Sequence, residues 1–155
     1  MSKRLIAMLA GVVAIAVIAA GCGSSSDSTS SSLTKAEYIK QGDAVCKKGS
    51  GEIEEEVDTY AKENNISLKS EPSKEQLEAI SENVIIPAVQ SQLDGLKALG
   101  TPSEDEGRSN EVLDALEEGI EKGEEDPGAF VEGKGTLVKA NELAKEFGFK
   151  VCGQE

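Results

Sequence analysis

Histidine and tryptophan are absent from the 155 residues, and aromatics as a whole make up only 3% of them. Without histidine no Ser-His-Asp or Cys-His nucleophile can be assembled, and no His-ligated zinc or haem site. With so few rings, the core has to be built from Leu, Ile, Val and Ala. Basic residues are scarce as well: 16 Lys and Arg stand against 29 Asp and Glu, a formal charge of −13. That balance repels phosphate backbones and anionic headgroups and argues against nucleic acid as a partner. Cations and basic proteins remain compatible with it, and so does the plain role of keeping a domain soluble. No strand-like alternation runs for more than a few residues.

What is present begins with an address. Lys3 and Arg4 precede an apolar run from Leu5 to Ile18, and Ala19, Ala20, Gly21 and Cys22 follow. A basic start, about 14 apolar residues and a small-residue cut site describe an export signal over residues 1–21, short for a helix crossing a ~30 Å hydrocarbon core. Ile18-Ala19-Ala20-Gly21-Cys22 resembles the lipobox of bacterial lipoproteins, with Ala19 where Leu is more typical. The resemblance implies cleavage between Gly21 and Cys22, a diacylglycerol on the Cys22 sulfur and, often, a third acyl chain on the freed amine. Membrane lipid then becomes a partner through Cys22. Each buried CH₂ adds about 0.8 kcal/mol, so two or more chains anchor stably where one does not. The expected location is the cell membrane, lipid-anchored and facing the extracytoplasmic side. An ordinary secretory cut near Ala20 and an uncleaved membrane anchor are the other readings of this segment.

Loss of Lys3 and Arg4 with the signal brings the charge to roughly −15. Residues 22–32 hold the lipidated Cys and then Gly-Ser-Ser-Ser-Asp-Ser-Thr-Ser-Ser-Ser. Such a stretch cannot bury a core and behaves as a flexible tether with an end-to-end distance of roughly 17 Å.

Residues 33–155 read as one helical domain. Thr34 with Glu37 forms a capping box, and Ile39, Cys46, Ile53 and Tyr60 recur every seven residues, which predicts a first helix over about 35–64. Gly42, Gly49 and Gly51 either break it near 48–51 or permit close helix packing. Ser73 with Gln76 forms a second box. A helix over about 74–99 follows, kinked at Pro87 and stopped at Gly100. Ser103 with Glu106 forms a third box, before a helix over about 104–123. Asp126-Pro127 opens a fourth helix, about 127–147, whose first half is weakened by Gly133 and Gly135. Gly148 and Phe149 suit a Schellman ending. The expectation is an all-α, up-down bundle of about four helices.

With Cys22 lipidated, Cys46 and Cys152 remain, in a compartment where disulfides persist. In an up-down bundle the tail after helix four can fold back along helix one to Cys46. A bond across so long a segment adds about 4–5 kcal/mol by chain entropy, a large contribution for a core poor in aromatics. A redox-active pair is disfavoured by the absence of Cys-x-x-Cys spacing and of an activating histidine; free thiols are the other option.

Few residues point to chemistry. The acidic runs Glu54-Glu55-Glu56, Glu104-Asp105-Glu106 and Glu124-Glu125-Asp126 lack EF-hand spacing, and the latter two stand where helices begin and acids are favoured. Surface acids this abundant also form chance pairs, so a glycosidase-like carboxylate pair has nothing to single it out. Asn65-Ile66-Ser67 matches a glycosylation acceptor that in a bacterium usually carries no meaning.

Leu33-Thr-Lys-Ala-Glu-Tyr-Ile39, Asp43-Ala44-Val45-Cys46 and Phe147-Gly-Phe-Lys-Val-Cys-Gly153 resemble the ends of small helical secreted proteins and lipoproteins of actinobacteria. That resemblance supports the Cys46–Cys152 pairing and implies no activity. The functional expectation is therefore a non-catalytic interaction or structural domain of the cell envelope, without cofactor or metal, with an envelope protein as partner and a filled core. The alternative is a small-ligand or cation-binding lipoprotein with a cavity between helices, at the Pro87 kink and with carboxylates at its rim. An enzyme would instead need a buried acid of raised pKa in a cleft.

Overall fold

Thr34 starts the first helix as its side chain predicts: the hydroxyl accepts the Glu37 N–H at 3.3 Å, and the Glu37 carboxylate accepts the Thr34 N–H at 3.0 Å. In the computed structural model, which describes residues 32–131 and 135–154, α1 then runs without a break over Lys35–Glu63. Asn65, in the left-handed conformation (φ 57°), ends the run. Gly21, Cys22 and most of the Ser-rich tether lie outside the described residues.

Ser73 and Gln76 form the second capping box, opening α2 (Lys74–Ile80). A π-helical turn over Ser81–Ile85 carries the chain into α3 (Ile86–Ala98). The expected kink at Pro87 takes this form because the Ile86 N–H reaches back five residues, to the Ser81 carbonyl. One widened turn absorbs the mismatch before the proline, and the helix continues. Gly100, at φ 72°, provides the stop.

Two expected boundaries are corrected. The third helix, α4, spans Glu106–Glu125 and has Asp105 rather than Ser103 at its N-cap. The Ser103 N–H is committed to the Leu33 carbonyl at 3.3 Å, and Pro102 beside it is buried, so that segment is held as a strap under α1. The fourth helix is split into α5 (Pro127–Val131) and α6 (Val138–Phe147). Asp126 caps α5, accepting the Ala129 N–H at 3.1 Å. Gly135 adopts φ 93°, a conformation an α-helix cannot contain.

These elements make an all-helical up-down bundle, with no strand among the described residues. α1 packs on α3, α3 on α4 and α4 on α6, while α5 packs across α2. The core is aliphatic around Leu93, Leu96, Val112 and Ile120, and its aromatic end joins Tyr38, Phe147 and Phe149. The buried stripe of α1 is Tyr38, Gly42, Cys46 and Gly49, with Ile39 and Ile53 only partly covered. The stripe shares Cys46 with the heptad of apolar side chains read from the sequence, and Tyr38 and the two glycines complete it. The two glycines on the buried stripe answer the question of breaking or packing: they lie against other elements. A Cβ at Gly42 would stand 2.5 Å from Phe149 Cε1, and one at Gly49 would meet the Gln92 side chain.

Candidate functional site

Among the described residues, α1 and α6 meet at one end, where Tyr38 packs edge-on against Phe147, and do not pack closely along the rest of their length. The seam between them is bridged at one end by the chain that follows α6. Gly148, at φ 117°, turns the chain back. The Phe149 N–H reaches the Ala144 carbonyl at 3.0 Å and the Gly148 N–H the Lys145 carbonyl at 3.1 Å, the paired bonds of a Schellman ending. The tail then lies across α1. Asp43 accepts the backbone N–H groups of Lys150, Val151 and Cys152 at 3.1, 2.8 and 3.2 Å. Cys152 is bonded to Cys46, with Cα atoms 5.3 Å apart.

Beyond this bridge the seam stays open as a groove of about 340 Å³, lined by Cys46, Ser50 and Ile53 of α1, by Val89, Gln92 and Leu96 of α3, and by Val112 and Leu116 of α4. Leu137 with Ala140, Asn141 and Ala144 of α6 form the opposite wall, and Phe149 and the tail close one end. No Asp, Glu, Lys, Arg or Tyr is among the described lining residues. In a chain with 29 acidic residues, that makes the described lining a neutral strip. Its polar groups are amides and hydroxyls, from Gln92, Asn141, Ser50 and Thr136. Its volume falls in the range of small-molecule pockets, which are mostly apolar with a few orienting polar groups.

Compared with known proteins, the chain matches no family model, no curated protein and no solved structure.

The expected cavity at Pro87 is a different and poorer feature. Glu52 and Glu56 do stand beside Pro87, Ala88 and Ser91 in a shallow depression, but Glu52 is paired with Lys48 at 2.8 Å. A cation there would have to displace a lysine. Among the described residues, no three Asp, Glu or Cys side chains converge as metal ligands. The run at Glu54 to Glu56 is exposed on α1. The other two runs put one acid each to structural use. Asp126 caps α5, and Asp105 binds Lys35 at 2.7 Å.

Lys35 ties the aromatic end together. Its ammonium lies 4.7 Å from the centre of the Phe147 ring while it donates to Asp105. That hydrogen bond, with the Lys35 charge behind it, lowers the Asp105 pKa below the ordinary 3.8. A depressed folded-state value means that the stabilisation is complete above 3.8 and disappears as pH falls through the lowered value. Asp105→Asn is therefore expected to be less stable than the wild type at neutral pH and to converge with it in acid. Denaturation curves at several pH values check this, and parallel curves throughout would show that the pair contributes nothing. Burial pushes the Tyr38 hydroxyl up, which suits a packing role. Glu118 is held down by its hydrogen bonds from Lys122 and Lys139.

The cysteine pair is where sequence reasoning points, whereas Gly21 and Cys22 fall outside the described residues. Two contributors escape that reasoning. Asp43 looks like one more surface acid, and only its place three residues before Cys46 hints at the tail it holds. The groove itself has no local signature, because its lining comes from five separate helical segments and the tail.

Proposed function

We propose that this chain is a cell-envelope lipoprotein, anchored through acylated Cys22 on the extracytoplasmic face of a membrane, whose helical domain works by binding and carries out no catalysis. The observation that supports binding is the α1–α6 groove, concave, apolar and without a titratable side chain in its described lining. Acid–base or nucleophilic work needs a titratable or activated group within reach of the substrate, and this groove offers amides and hydroxyls instead. An interaction or structural module would be best served by a filled core. The open seam favours the small-ligand reading of the domain over that one.

The anchor is supported by the basic start, the apolar run and the Ile18-Ala19-Ala20-Gly21-Cys22 pattern. Among the described residues no helix is long and apolar enough to cross a membrane.

Native mass spectrometry of protein gently extracted from its own membranes tests both halves together. The expected spectrum shows a chain beginning at Cys22 with acyl mass on it, and a reproducible extra mass of small-molecule size that is lost on activation. Cys22→Ala is expected to shift the domain from the membrane fraction to the soluble fraction. A chain that begins before Cys22 and carries no acyl mass would overturn the anchor. A protein-sized companion in place of the small mass would return the domain to the interaction reading.

A further inference from the structure

We propose that the α1–α6 seam takes one unbranched hydrocarbon chain bearing an uncharged polar end, supplied as a neutral single-chain lipid by the bilayer to which Cys22 would tether the domain; this rests on the binding reading above. Three features of the seam select that chemistry.

The first is shape. Cys46, Ser50 and Ile53 follow one another along α1, and Val89, Gln92 and Leu96 run alongside on α3. Each series covers seven residue steps, about 10 Å at 1.5 Å per residue. The cavity is a slot parallel to the helix axes, and a volume of about 340 Å³ is too small for a helix of a partner protein, which is ~10 Å across with its side chains. The second is the surface. The long walls are aliphatic, and the rings of Phe130 and Phe149 are the only aromatic ones in the described lining. A flat ring system would find no facing aromatic pair to stack between, whereas methylene groups pack well against Val, Leu and Ala. The third is charge. Among the described lining residues no cation stands ready to receive a carboxylate or phosphate, and the surrounding chain is strongly negative. The Gln92 and Asn141 amides can both donate to and accept from a hydroxyl or ester.

The test uses the purified mature domain and n-alkanols of increasing length, from butanol upward, with affinity read directly by isothermal titration calorimetry. Affinity is expected to rise about fourfold per added methylene while the chain lengthens within the slot, and then to level off once its extended length exceeds about 10 Å. Ser50→Trp, at a solvent-exposed position on the rim, is expected to weaken binding at least tenfold with no loss of helicity. Leu116→Phe, which narrows the slot from the α4 side, is expected to bring the plateau to shorter chains. An unbroken rise with length that neither variant alters would mean nonspecific partitioning, and the proposal falls. If n-alkanoates bind as tightly as the alkanols, the uncharged end is wrong. If adamantanol or naphthalene binds and alkanols do not, the ligand class is wrong while the binding reading stands. If none of these binds, both fall.

Discussion

Replacing Cys46 and Cys152 together by Ala is expected to destabilise the domain by about 4–5 kcal/mol and to lower Tm by roughly 15–20 °C. The size follows from where the bond lies. It joins positions 106 residues apart, so in the unfolded chain it closes nearly the whole domain into one loop, and the entropy it removes grows with that length. In the folded state it ties the tail after α6 to α1 across the seam that those two helices leave open along most of their described length. Other contacts also hold the tail: Asp43 accepts three N–H groups, and the Phe149 ring rests on Gly42. These should keep the native fold populated in the variant at low temperature. Thermal unfolding of oxidised, reduced and double-Ala protein separates the contributions. A double variant melting within a few degrees of the wild type would mean that Asp43 and Phe149 suffice, and that the bond adds little.

Phe147→Ala is expected to cost about 3–5 kcal/mol, as for other fully buried rings cut back to Ala. Phe147 is 2% exposed. Its ring meets Tyr38 edge-on, with centroids 5.9 Å apart, and stacks on Phe149 at 5.4 Å. Aromatic contacts of this kind add about 0.5–1.5 kcal/mol each beyond their burial, and the Lys35 ammonium over the ring is lost with them. Phe147→Leu should recover the larger part, because burial and volume outweigh ring geometry. Chemical denaturation measures both variants. A fall in midpoint with unchanged m locates the loss in the native state, and a loss below about 1 kcal/mol for Phe147→Ala would show that Tyr38 and Phe149 collapse into the space.

Much of this architecture is legible locally. Thr34 with Glu37, Ser73 with Gln76, Asp126 before Pro127, and Gly148 before Phe149 all act as their spacing predicts, since capping and reversal depend on backbone groups within a few residues. Pro87 marks the right place for a disturbance in the second helix. Where the local reading fails, a distant partner has intervened. Ser103 resembles a cap, but its N–H is taken by Leu33, far away in the chain. The buried stripe of α1 is hidden because Gly42 and Gly49 hold part of it, and glycine carries no hydrophobic signal. Their value lies in the absence of a side chain where Phe149 and Gln92 come to rest.

By itself, then, the sequence determined the helical class, most of the helix ends, the pairing of the two domain cysteines, and an expectation of export and lipidation at Cys22. Those features rest on short-range hydrogen bonding, periodic burial and residue chemistry, all of which are written along the chain. The tertiary structure alone decided that α1 and α6 leave an open seam along most of their described length, that Asp43 gathers the tail, and that the described lining of that seam is free of charged side chains. Each of these is a relation between residues far apart in the chain, and packing settles it because no side chain involved has a single local conformation that requires it.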